Sequence, residues 1–167
     1  MKAARLFLIL IIFSFSISNS IAQTDNGTTL IFIRHAEKMQ NDAPDPQLTE
    51  KGILQSRQWV DVLKNVNIDA IYSTKTKRTF STVGPLSTAR KLDVVVYDEK
   101  TVDIKQLANV YKGQTILIVG HSNSTPKLVN SLLGTEKYPP IEDSDYNNLY
   151  IVTVVNGVAK AVLLNIE

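Results

Sequence analysis

With 167 residues, 44% of them hydrophobic and 20% charged, the chain fits one globular domain with a substantial core. It has no cysteine, which excludes disulfide staples and thiol chemistry. Its 18 basic and 16 acidic residues nearly balance, so a basic surface for nucleic acid is not indicated.

Residues 1 to 22 differ in kind from the rest of the chain. Lys2 and Arg5 precede the apolar run Leu6 to Phe15, and Ser20-Ile21-Ala22 places small residues where a signal peptidase cuts. The apolar core of roughly 10 to 12 residues is short of the ~20 that span a bilayer. The pattern predicts a cleaved signal peptide over 1–22, a domain over 23–167, and an exported protein, periplasmic or secreted, without stable membrane association after cleavage. Lys2 and Arg5 leave with the signal and no acid does, so 18 basic residues become 16 and match the 16 acids.

Strand-like and helix-like stretches then alternate. Leu30 to Arg34 is a continuous apolar strand, and a polar loop with Pro44 and Pro46 leads to Thr49, a good N-cap. The next helix, to about Lys64, places Ile53, Val60 and Leu63 on one face. Ala70 to Ser73 reads as a short strand. Thr76 to Arg90 reads as a helix that Gly84-Pro85 should bend or break. Asp93 to Tyr97 and Thr115 to Val119 are strands around a helix at about Val102 to Tyr111. A fourth helix begins near Pro126, with Leu128, Val129, Leu132 and Leu133 at helical spacing. The acidic-polar stretch Glu142 to Asn148 reads as a surface connection. Finally, Leu149 to Val155 and Val158 to Ile166 flank Asn156-Gly157, a strong hairpin signal. The alternation predicts an α/β fold: a three-layer α/β/α sandwich around a mostly parallel mixed sheet, closed by an antiparallel hairpin.

Ligands in such sheets gather beyond the carboxyl ends of the parallel strands. That is where the unusual polar residues fall: Arg34-His35 after the first strand, Ser73 to Arg78 after the second, and Gly120-His121-Ser122-Asn123 after the fourth. His35 and His121 are the only two histidines. Guanidinium groups and imidazoles gathered at one sheet edge need an anion to offset them. A phosphate is the natural candidate, because arginine binds its oxygens bidentately and a neutral imidazole can attack its phosphorus.

The same stretches carry a family resemblance. Arg34-His35-Ala36-Glu37 resembles the Arg-His-Gly-Glu signature of the histidine phosphatase superfamily, in its phosphoglycerate mutase-like branch. Leu48-Thr49-Glu50-Lys51-Gly52-Ile53-Leu54-Gln55-Ser56, the segment Ser73 to Thr82 and Val119-Gly120-His121-Ser122-Asn123 resemble the family's further motifs in their usual order. The resemblance implies a phosphoglycerate mutase-like fold and a hydrolase acting through phosphohistidine, with His35 as nucleophile, Arg34 and Arg78 as phosphate clamps, and His121 as the second pocket histidine. Asn41 falls where the family often has a phosphate-contacting asparagine. Two departures are small: Ala36 and Ser122 stand where glycines are usual. A larger one is the missing glutamate-rich segment that supplies the acid, for which Asp98 and Glu99 are the nearest candidates.

These readings predict a phosphatase for a phosphomonoester or an activated phosphate, on a phosphorylated small molecule or a phosphoprotein. They imply no metal or organic cofactor and no nucleic-acid partner, and leave oligomeric state open. A mutase is disfavoured by export and by little room for a capping insertion. The alternative is a catalytically weak phosphate-ligand binding module of the same fold.

Overall fold

The first apolar run forms β1 (Thr28–Arg34), nearly all of it buried, as suits a strand covered by helices on both faces. The computed structural model describes residues 27–41 and 43–166, so the predicted signal at 1–22 lies outside the described residues. The further strands are β2 (Ala70–Thr74), β3 (Val94–Tyr97), β4 (Thr115–Gly120), β5 (Asn148–Val155) and β6 (Val158–Asn165). They form one sheet in the order β3-β2-β4-β1-β5-β6. The first four strands pair in parallel, and β5 and β6 add antiparallel. Between β5 and β6, Asn156 and Gly157 both take positive φ, 51° and 78°, as a two-residue hairpin turn of this type requires.

The helices are α1 (Glu50–Val62), α2 (Lys77–Arg90), α3 (Ile104–Val110) and α4 (Ser124–Leu133). Side chains alternate across a strand, so each face of β1 serves a different layer. Ile31 and Ile33 pack with Trp59 and Leu63 from the α1 segment and with Val83 and Leu86 of α2. Leu30 and Phe32 pack with Ile104 and Ala108 of α3 and Leu128, Val129 and Leu132 of α4. The chain passes from β1 beyond β4 to β2 and β3, then returns to β4 beside β1. This reversal opens a crevice at the carboxyl ends of β1 and β4, the usual place for a ligand in an open α/β sheet.

Two local expectations are corrected. Ile53 does not face the core: it is 43% exposed, and the buried side of α1 is Gly52, Ser56 and Trp59. Gly52 explains this, because a Cβ there would collide with the Glu37 carbonyl oxygen, so the helix start presses its glycine against the loop after β1. The second concerns α2: the helix read over Thr76 to Arg90 is present, and of the bend or break expected at Gly84-Pro85 the break does not occur. Gly84 has no Cβ to meet the proline ring, which removes the Cβ part of the clash that drives most pre-proline residues out of the helical region. Ser81, whose carbonyl loses the donor that Pro85 lacks, is exposed and can turn that oxygen to water.

Candidate active site

The register of the sheet builds the site. Arg34, the last residue of β1, pairs with Gly120, the last of β4, so the next residue of each strand, His35 and His121, emerge side by side. Their rings lie 5.4 Å apart at 62°. The His35 N–H donates to the Gly120 carbonyl at 3.0 Å, which locks the two strand ends together.

His35 is 3% exposed. Its Nδ1 lies 2.8 Å from the Ala36 carbonyl, which can only accept, so Nδ1 carries the proton and Nε2 keeps its lone pair. Burial first, then the neighbouring cation of Arg34, His121 and the cation of Arg78 push the imidazole down to about 3, so it is neutral near pH 7. Ala36 itself is buried, and its N–H donates to Thr82 Oγ1 at 2.8 Å.

Arg34 is almost fully buried, and its Nη1 donates to the Glu142, Asp143 and Asp145 carbonyls at 2.8, 3.2 and 2.7 Å. The Tyr146 ring lies 4.2 Å from its guanidinium carbon. Arg34 therefore anchors the loop before β5, which the sequence pattern presents as a mere surface connection.

Arg78 sits in the first turn of α2. Its Nη2 donates to His121 Nδ1 at 3.3 Å, and its Nη1 contacts Asp45 Oδ1 at 3.3 Å. Because Arg78 is the donor, the His121 proton lies on Nε2, which reaches Thr74 Oγ1 at 3.0 Å. Thr74 passes the chain on to Thr79 Oγ1 at 3.2 Å. Burial, and next the Arg78 charge, lower the His121 pKa. His121 Nε2 also stands 3.9 Å from Glu99 Oε2. With the imidazole neutral, that approach is a polar contact and not an ion pair.

Among the described residues four buried side-chain polar atoms have no hydrogen-bond partner, Thr125 Oγ1 and three at the charged groups of the site: Arg34 Nε, Arg78 Nε and Glu99 Oε2. Two cationic donors and one acceptor left unpaired in a buried setting are costly. Together they fit an oxyanion whose bridging atom faces a carboxyl group. Beside them a cleft of about 540 Å³ is lined by Thr74, Lys75, Val96, Glu99, Lys100 and His121, among others. Among the described residues no group of three or more His, Asp or Glu side chains could hold a metal ion.

The structure thus brings together Arg34, His35, Arg78 and His121, and adds Glu99. Asp98 borders the same cleft, but its Oδ1 accepts the Lys100 N–H at 2.9 Å and shapes the turn after β3. Asn41 is exposed, with its Oδ1 accepting the Ala43 N–H at 3.3 Å, and among the described residues no hydrogen bond joins it to the two histidines or two arginines. Sequence reasoning missed Asp45, Thr74, Thr82 and Tyr146 as site neighbours. Only Thr74 and Thr82 left any signal, inside the Ser73 to Thr82 motif.

Residues 30–100 match the family model of the histidine phosphatase superfamily (branch 1). The matched segment holds Arg34, His35 and Arg78 and ends before His121. A relative within reach of sequence comparison is phosphoserine phosphatase 1 of Hydrogenobacter thermophilus, 29% identical over 116 residues, or 66% of this chain. The chain spans only 46% of that relative's length. The fold is shared with the protein histidine phosphatase SixA solved with tungstate, at a TM-score of 0.69 and 20% identity over 82% of this chain and 96% of the other. It is also shared with a mycobacterial glucosyl-3-phosphoglycerate phosphatase, at a TM-score of 0.67 and 14% identity over 84% of this chain and the whole of the other (100%). The phosphoglycerate mutase-like architecture expected from the motifs is the one observed.

Proposed function

We propose that this domain is a phosphatase that works through a phosphohistidine at His35. The observation that carries the reading is the pair of buried, unpartnered guanidinium Nε–H groups beside a neutral imidazole whose Nε2 lone pair is free. His35 Nε2 attacks phosphorus, the bond to the leaving oxygen breaks, and that oxygen takes a proton from the Glu99 carboxyl group. Water then attacks the phosphohistidine, Glu99 takes the proton of the water, and the P–N bond breaks to release phosphate and neutral His35. Arg34 and Arg78 stabilise charge on the non-bridging oxygens, the main demand of phosphoryl transfer.

The substrate class is a phosphomonoester or a phosphohistidine, in keeping with the names of the similar proteins, a phosphoserine phosphatase, a protein histidine phosphatase and a glucosyl-3-phosphoglycerate phosphatase. Of the two acids left open by the sequence, Glu99 is assigned the proton transfer because its Oε2 is buried, unpaired and close to His121. Turnover across a series of substituted phenyl phosphates tests this. The wild type should depend weakly on leaving-group basicity, Glu99→Gln steeply, and Asp98→Asn like the wild type. Equal steepness in all three would remove Glu99 from the mechanism. Export to the periplasm or medium belongs to the same reading and is supported by the pattern of residues 1 to 22. Mass spectrometry of the exported chain should find Gln23 at its N-terminus, and an intact Met1 would refute it.

A further inference from the structure

Asp45 lies in the loop between β1 and α1, outside any helix or strand, yet its carboxylate reaches the start of α2. Its Oδ1 and Oδ2 accept the Lys77 N–H at 3.2 and 2.9 Å, and Oδ1 also meets Arg78 Nη1 at 3.3 Å. The need for it is visible in α2 itself. That helix has Lys77 and Arg78 in its first turn, Lys75 just before, and no acid there. Cations at the positive end of a helix are unfavourable. A carboxylate brought in from a distant loop corrects this and at the same time takes hold of one arm of Arg78.

The second arm, Nη2, is held by His121 Nδ1. With Nη1 and Nη2 each held by one partner, rotation of the guanidinium plane is restrained, and Nε is buried without a partner. The contact is half sheltered, with side-chain exposures of 34% for Asp45 and 18% for Arg78, so water competes with it only in part.

We propose that Asp45 is a positioning residue for phosphoryl transfer: it fixes the rotation of Arg78 so that the free Nε–H meets the transferring phosphoryl group. The inference rests on the function proposed above and deepens it. Attraction of a phosphate dianion to Arg78 is long-ranged and tolerates a rotated guanidinium, whereas stabilising the transition state needs aligned donors. Loss of Asp45 should therefore appear in kcat far more than in KM.

The test is a double-mutant cycle on p-nitrophenyl phosphate hydrolysis with wild type, Asp45→Asn, Arg78→Ala and the double variant, alongside inorganic phosphate binding to the wild type. The asparagine oxygen still accepts the Lys77 N–H, so Asp45→Asn should melt close to wild type while its kcat falls roughly tenfold or more and KM stays within about threefold. In the Arg78→Ala background the same change should have no further effect. Should Asp45→Asn fail to fold, Asp45→Ser enters the same cycle, since its hydroxyl can cap Lys77 but is one bond too short for Arg78. Equal losses in both backgrounds, or a wild-type kcat in the single variant, would overturn the role of Asp45 alone. A wild type that neither hydrolyses the ester nor binds phosphate would overturn the function and this role together.

Discussion

The chemistry of His35 is set by where its two nitrogens point. A backbone carbonyl fixes the proton on Nδ1, and burial among Arg34, His121 and Arg78 keeps the ring uncharged to about pH 3. The unfolded chain binds this proton near the ordinary histidine value of about 6.5. Between those values the unfolded state holds more protons than the native state, so stability is complete above about pH 6.5 and declines as pH falls toward 3. One such proton changes stability by about 1.4 kcal/mol per pH unit. His121, also shifted downward, adds to the slope in the same direction. Urea unfolding at pH 7 and pH 5 should show the wild type weaker at pH 5, and the difference should shrink in His35→Gln. A difference unchanged in that variant would mean that His35 is not held neutral in the fold.

Among the helices and strands, the site depends most on how α1 starts. Thr49 caps the helix by accepting the Gly52 N–H at 3.0 Å, and its own hydroxyl donates to Glu37 Oε1 at 2.9 Å. The Gln55 side chain accepts the Glu37 N–H at 2.9 Å. These bonds tie the segment directly after His35 to α1, and only a residue without a Cβ fits against the Glu37 carbonyl. Gly52→Ala should cost roughly 1–3 kcal/mol in chemical denaturation, as expected for overpacking against backbone. A fully stable variant would show that the close approach has no energetic role. The same contact explains a failure of the apolar spacing. Ile53, Val60 and Leu63 lie at helical intervals, yet the start of the helix turns Gly52 inward because its partner there is a backbone loop, while Trp59 and Leu63 farther along meet the side-chain core. Hydrophobic periodicity registers only partners that are apolar. Asp45 escaped for a related reason: a lone loop acid has no period, and its meaning comes from α2, more than thirty residues away (|i−j| = 32). The helix read across Pro85 is observed, and the break allowed for there does not occur.

Across the whole molecule, the succession of elements along the chain was the most legible property, because each of the first four apolar runs is short, bounded and followed by its own helix. Three of the four motifs fell at strand ends for the same reason, the other opening α1, and the reversal between β1 and β4 draws the three to one edge. The hairpin and the loop before it were legible as elements but not as part of the site. Three carbonyls of that loop hold Arg34, so the C-terminal part of the fold shapes a centre whose motifs all lie before it. The proposed chemistry stands or falls on one nitrogen of one residue carrying the phosphoryl group. The decisive experiment is rapid quenching of the protein with a radiolabelled or slow aryl phosphate, without acid, followed by peptide mapping. An alkali-stable, acid-labile label is expected on the peptide containing His35, attached at Nε2 and absent from His35→Ala. A label on a serine, threonine or carboxylate, or on His121, would overturn the mechanism.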